Sequence, residues 1–349
     1  MYHIRLYTFI FACLGFAACS SGELGTGEEN LPVQPKEKIA VSFSSTLSLA
    51  TTKTEGNTES LTTGANVTIR AYKQGGIEIP TEEEYSRRYY TVGADGSLSL
   101  QSPPPSTAPS GSSIMYLGAG TYSFYALSIN TVGTAANAFP PELTGGSFSQ
   151  TTELQNHTDY LYCAVNRQIA STPDVEQTVE LLFGRLAARL QITIVSEGNA
   201  SNRIVAATEP TIELPLTDPA GSKITLGATA PIEQGAAVTG EAHYTTLNSA
   251  GNITAGFTAS CILLPMKAGE VLPVRILFPS ITFNGIAAQT DKLYTLDIIT
   301  PTGGYASGKQ YNYKVNITGN QIVFTGLSVE PWINKDGQLP NGDITEDFD

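Results

Sequence analysis

"YNYKVNI", residues 311–317, sets the fold class. Tyr311, Tyr313, Val315 and Ile317 alternate with Asn312, Lys314 and Asn316. A period of two places the four apolar side chains on one face of an extended strand and the polar ones on the other. A helix would scatter the same residues around its circumference. The pattern recurs in "KIAVSFSS" (38–45), through Ile39, Val41 and Phe43, and in "NVTIRAY" (66–72), through Val67, Ile69 and Ala71. Turn-forming pairs separate such runs: Gly75-Gly76, Asp95-Gly96, Asn284-Gly285 and Gly319-Asn320. Short strands joined by hairpin turns predict an all-β chain of antiparallel sheets, packed in pairs as β-sandwiches.

One stretch needs more care. "VELLFGRLAARLQITIV" (179–195) contains "RLAARL", which alone would suggest a helix. Alternation accounts for more of it. Val179, Leu181 and Phe183 occupy odd positions, and Leu186, Ala188, Leu190, Ile192 and Ile194 even ones. A β-bulge at Gly184-Arg185 would flip the phase, so one long bent strand is expected.

The chain has 349 residues, enough for about two domains. Charged residues make up only 15%, and the formal net charge is −13. A nucleic-acid binder needs a basic face, which this balance does not supply; the acidity serves solubility. The proline-rich stretch 101–113 cannot join a sheet ladder and reads as an exposed loop. A second break, "QIASTPDVEQ" (168–177), places a domain boundary near residue 173. The expected organisation is a targeting segment at 1–18, a tether at 19–37, β-sandwich domains at 38–172 and 173–333, and a flexible acidic tail at 334–349.

Residues 6–18 form an uncharged apolar run, too short for the roughly 20 residues that span a bilayer. It fits the core of a signal peptide. The run ends "FAAC", and small residues before a cysteine resemble the bacterial lipobox. That implies cleavage between Ala18 and Cys19 and acylation of Cys19, palmitate included. Residues 20–37, rich in Gly, Ser, Pro and Glu, then form a solvated tether. Several acyl chains hold a protein to a membrane where one would be marginal. Cys163 and Cys261 both sit in apolar strand-like runs and read as separate buried thiols, with a disulfide between them as the alternative.

Several stretches, taken in order, resemble the fimbrillin family, the type V pilus subunits of Bacteroidetes-type bacteria. They are the lipobox cysteine, "IAVSFSS", "VTIRAY", "GTYSFYALSIN", "DYLYCAV", "VELLFGRLAARLQITI" and "GKQYNYKVNITGNQIVFTGLSVEPW", which closes on the only tryptophan, Trp332. The acidic residues after Cys19 also resemble the surface-export signals of such lipoproteins. The resemblance implies two tandem transthyretin-like β-sandwich domains. It implies a subunit of a cell-surface fimbria, supporting adhesion and exported as an outer-membrane lipoprotein. Its partners would be other pilus subunits, the outer membrane through the lipid, and a host or bacterial receptor. Such subunits join by donating a β-strand to a neighbour; in stalk subunits a protease first removes the N-terminal strand, whereas anchor subunits keep their lipid.

"KIAVSFSS" has the alternation such a strand needs. Two readings stand for Ile39, Val41 and Phe43: a removable strand, or the permanent first edge strand of its domain. Family members are cut after an arginine that follows this strand. Here the first arginine beyond the signal is Arg70, inside strand-like "VTIRAY". The candidate processing site is therefore Lys53 in "LATTKTEG", the alternative being an ordinary loop lysine.

The sequence carries no pattern for catalysis or a cofactor. His157 and His243 lie far apart without metal-ligand spacing. No Cys-x-x-Cys, phosphate-binding glycine loop or nucleophile elbow occurs. "EIPTEEEY" (78–85) reads as a solvated loop, and the acidic tail lacks the EF-hand order of ligands. Trp332 and most tyrosines are expected to pack inward. The alternative function is a monomeric surface lipoprotein that binds glycan or protein ligands; an accessory domain of a secreted enzyme ranks third.

Overall fold

The computed structural model describes residues 38–48, 58–101, 115–172, 175–197 and 202–333. The described residues belong to one compact unit. It is nearly all β.

The first half holds β1 (Ile39–Ser48), β2 (Thr58–Glu59), β3 (Ala65–Tyr72), β4 (Ser86–Val92), β5 (Leu98–Leu100), β6 (Met115–Leu117), β7 (Gly120–Val132), β8 (Leu161–Ile169) and β9 (Gln177–Arg185). They form one sheet in the order β2-β1-β9-β8-β7-β3-β4-β5, with β6 also on β1. β8 and β9 share only two residue pairs, Leu161 with Arg185 and Tyr162 with Gly184. The sheet folds over at that joint. β1 and β9 thereby pack against β3, β4 and β7, as the contacts of Phe43 with Tyr90 and Phe124 require.

The second half holds β10 (Ala188–Val195), β11 (Ile204–Ala207), β12 (Thr211–Leu214), β13 (Thr245–Asn248), β14 (Ala250–Asn252), β15 (Gly256–Leu263), β16 (Val271–Phe283), β17 (Gln289–Ile299), β18 (Lys309–Thr318) and β19 (Gln321–Pro331). One sheet runs β14-β15-β10-β18-β19; the other runs β11-β16-β12-β13, with β17 on β16. Their inner faces share one core. The stretch 311–317 lies in β18 with Tyr311, Tyr313, Val315 and Ile317 buried and Lys314 exposed, as alternation predicts.

Three features differ from the sequence-based expectation. Residues 179–195 are two strands, not one bent strand. β9 ends at Arg185 in the first half and β10 begins at Ala188 in the second. The phase flips because the chain changes sheets at Leu186-Ala187, where both residues are buried. For the same reason the break expected near residue 173 falls ahead of β9, which pairs with β1 and β8 and so stays with the first half. Each half also contains one parallel pair among its antiparallel ladders, β1 with β9 and β10 with β18. Parallel neighbours need a long connection between them, which local alternation cannot reveal.

A third core joins the halves. Tyr72, Tyr125 and Tyr162 from the first sheet meet Ile224, Leu226 and Leu264 from the second half. Backbone bonds support it: Thr151 N–H donates to Ile224 O and Leu226 N–H to Ser149 O.

Candidate functional site

β1 is the element whose surroundings merit a functional reading. Its odd-numbered side chains all point inward: Ile39, Val41, Phe43, Ser45 and Leu47 are each at most 3% exposed. Phe43 sits edge-on between Tyr90 and Phe124, with ring centroids 5.4 and 5.6 Å away. The structure thus brings Ile39, Val41 and Phe43 into one row. It extends that row to Ser45 and Leu47, where the same alternation continues past the stretch singled out in the sequence.

The backbone of β1 is held asymmetrically. On one side it pairs in parallel with β9 over Val41–Leu47 against Gln177–Phe183. On the other side, among the described residues, the support is shorter: β6 pairs at Ile39–Val41, β2 at Leu47–Ser48, a bridge joins Ser44 to Ser97, and Ser45 donates to the carbonyl of Gly96. Val179, Leu181 and Phe183 of β9 share one core with the inward residues of β1, and the Ser42 and Thr178 hydroxyls lie 2.9 Å apart. β1 therefore lies in a slot with an apolar floor, one long ladder and no charged group among its inward residues.

The magnitude is informative. Burying an aliphatic or aromatic side chain is worth about 1.5–3 kcal/mol, so the four large side chains of β1 contribute on the order of 6–12 kcal/mol. Whole domains are stable by only about 5–15 kcal/mol. A chain lacking β1 would expose an unpaired β9 edge above an apolar trough, and an alternating strand from elsewhere would fit both.

Other residues highlighted by the sequence fall as follows. Ala18, Cys19, Lys53 and the tail at 334–349 lie outside the described residues. Cys163 and Cys261 are separate, buried free thiols; burial pushes each up to about 12. Trp332 is buried as expected, with the Arg185 guanidinium 4.6 Å over its ring. His157 and His243 sit apart, one in the loop before β8 and the other in a 3-10 turn at Glu241–His243. Among the described residues no three His, Cys, Asp or Glu side chains converge as a metal site, and no helix is long and apolar enough to cross a membrane.

The acidic stretch 78–85 is not simply a solvated loop. Glu84 pairs with Arg70, which is 1% exposed in β3, and with Arg87 at 3.1 Å. Glu142 pairs with the same two arginines and accepts a hydrogen bond from the Tyr89 hydroxyl at 2.7 Å. Burial alone would lower the Arg70 pKa, but Glu84 and Glu142 outweigh it and raise it. A buried cation needs such partners. An arginine within a strand pattern was the available signal, but Glu142 lies too far along the chain for local pattern to find.

The described geometry can be set beside known proteins. A model of fimbrillin-like proteins matches residues 50–332. Among curated proteins no sequence matches. A candidate cell adhesion protein from Bacteroides ovatus is similar in structure, with a TM-score of 0.54 at 15% identity, covering 86% of this chain and 99% of that one. The tip fimbrial protein Mfa3 from Porphyromonas gingivalis, with a C-terminal truncation, gives 0.44 at 12% identity, covering 84% and 99%. The fimbrial anchor protein Mfa2 from the same organism gives 0.40 at 11%, covering 84% and 98%.

Proposed function

The chain belongs to the fimbrillin-like family, and on that premise we propose that it is a structural subunit of a cell-surface fimbria that supports adhesion. Assembly is non-covalent: the β1 slot of one subunit receives a strand from another. The observation that carries this reading is the form of the slot, with its apolar row from Ile39 to Leu47 and its seven-residue ladder on β9. No bond is made or broken in the exchange, so the reading requires neither catalysis nor a cofactor.

Delivery to the surface follows from Cys19. Cleavage after Ala18 and acylation of Cys19 anchor the chain in the outer membrane. Residues 20–37 hold the folded part clear of the lipid. A stalk role adds proteolysis after Lys53, which separates β1 from the rest of the chain. An anchor role omits that cut.

The test is an unheated SDS gel of material sheared from cells, blotted for this protein. Strand-complemented polymers bury whole ladders and survive detergent until heated. A ladder of bands that collapses on boiling is expected, and loss of residues up to Lys53 in the collapsed band would mark a processed stalk subunit. One unsheared, membrane-bound band at nearly full mass would overturn the stalk role. Crosslinking of those membranes then separates an anchor, bound to other subunits, from a monomeric glycan- or protein-binding lipoprotein.

A further inference from the structure

A second feature, independent of strand exchange, lies where the two halves meet. A cleft of about 630 Å³ opens between the loops around β7 and β8 on one side and β10, β15 and Trp332 on the other. That volume falls within the roughly 300–1,000 Å³ of small-molecule sites.

Its charge is unbalanced. Asp159 is held by Arg185, both carboxylate oxygens lying 3.2 Å from Nε. Arg185 also donates from Nη1 to the carbonyl of Trp332 at 2.8 Å. The one carboxylate is thereby committed. Arg189, which lines the cleft from β10, makes no hydrogen bond or ion pair with any described residue. Burial and then the neighbouring Arg185 push its pKa down, while Asp159 pulls it partly back. The Trp332 indole N–H, on the same cleft, is buried without an acceptor. Buried polar groups are almost always paired, so this orphaned N–H beside a half-exposed, unpaired guanidinium points to a missing ligand.

The remaining lining names its class. Asn130 is held by Thr62 and Asp159, but Asn137, Thr158 and Ser260 line the cleft with an amide and two hydroxyls. These groups match the hydroxyls of a saccharide, and a guanidinium matches a carboxylate. We propose that this cleft binds an acidic sugar, with its carboxylate on Arg189 and its hydroxyls on the surrounding amide and hydroxyl groups.

Isothermal titration of the full chain with sodium glucuronate tests this, with glucose and sodium acetate as controls. Glucuronate should bind saturably, and each control should bind about tenfold more weakly or less, since each lacks half of the recognition. Arg189→Gln should abolish the binding while leaving the melting temperature unchanged. Ser260→Glu, at an exposed position on the cleft wall, should abolish it by like-charge repulsion and covers the case in which the first variant does not fold. Absence of glucuronate binding, equal binding of acetate, or undiminished binding by either folded variant would overturn the proposal.

Discussion

Phe43 on β1 meets Phe124 on β7 edge-on, with ring centroids 5.6 Å apart and planes at 70°. The contact ties the N-terminal strand to the opposite layer of its sandwich, and it is the contact a departing β1 must break. Phe43→Ala should therefore cost about 3–5 kcal/mol. Ser42→Ala, one residue along and facing away, should cost less than about 1 kcal/mol. Urea unfolding of the two variants gives the comparison. Equal losses would mean that β1 is held by its backbone ladder rather than by its inward row.

The Arg70 network makes an asymmetric prediction. Glu142→Ala leaves the buried Arg70 with Glu84 as its remaining carboxylate and should cost about 1–3 kcal/mol. Arg70→Met removes the cation along with its need for partners, leaves Glu84 and Glu142 paired with the more exposed Arg87, and should cost less. The two midpoints in chemical denaturation settle the order.

Alkali should weaken the fold. Burial pushes Cys163 and Cys261 up to about 12 from an ordinary 9.0, and does the same to Tyr294 from 10.0. Raised values mean that the folded state holds protons which the unfolded chain releases. The resulting stabilisation is complete below the ordinary values and is lost as pH climbs through the raised ones. The urea midpoint should fall steadily between about pH 9 and 12. At neutral pH iodoacetamide should label Cys163 and Cys261 only after unfolding, as peptide mass mapping would show.

Gly227 fixes the joint between the halves. It takes φ +75°, and a β-carbon there would stand 2.1 Å from the carbonyl oxygen of Glu78. Gly146 takes φ +78° with nothing nearby. Gly146→Ala should cost only the backbone term of about 1–2 kcal/mol. Gly227→Ala adds a clash between two backbones and should lower the melting temperature further. Equal shifts would show that the Glu78 loop moves aside freely.

How much of this was legible can be judged strand by strand. The inward rows of β1 and β18 follow directly from alternating residues, because side-chain direction in a strand depends only on the pleat. Burial of Cys163 and Cys261 followed from the apolar runs around them, and that of Trp332 from its place as a large aromatic at the end of a strand. The slot was only half legible: "IAVSFSS" identified its occupant, but nothing local identified β9 as its partner. Of the Arg70 network only the arginine inside a strand pattern was legible, and the cleft at Arg189 was not, since their members come from separate strands and loops.

The sequence by itself determined the all-β class, the buried face of each strong strand and the family. These rest on period-two patterning and on the order of motifs, both of which are local properties of the chain. Tertiary structure alone decided which strands are neighbours. It ran β1 parallel to β9 and β10 parallel to β18, turned one expected strand into two at Leu186-Ala187, and set Arg185 over Trp332. A strand's pattern states which face is apolar but not which edge its hydrogen bonds will meet. That choice belongs to the packing of whole layers and to the connections that let distant strands close on one another.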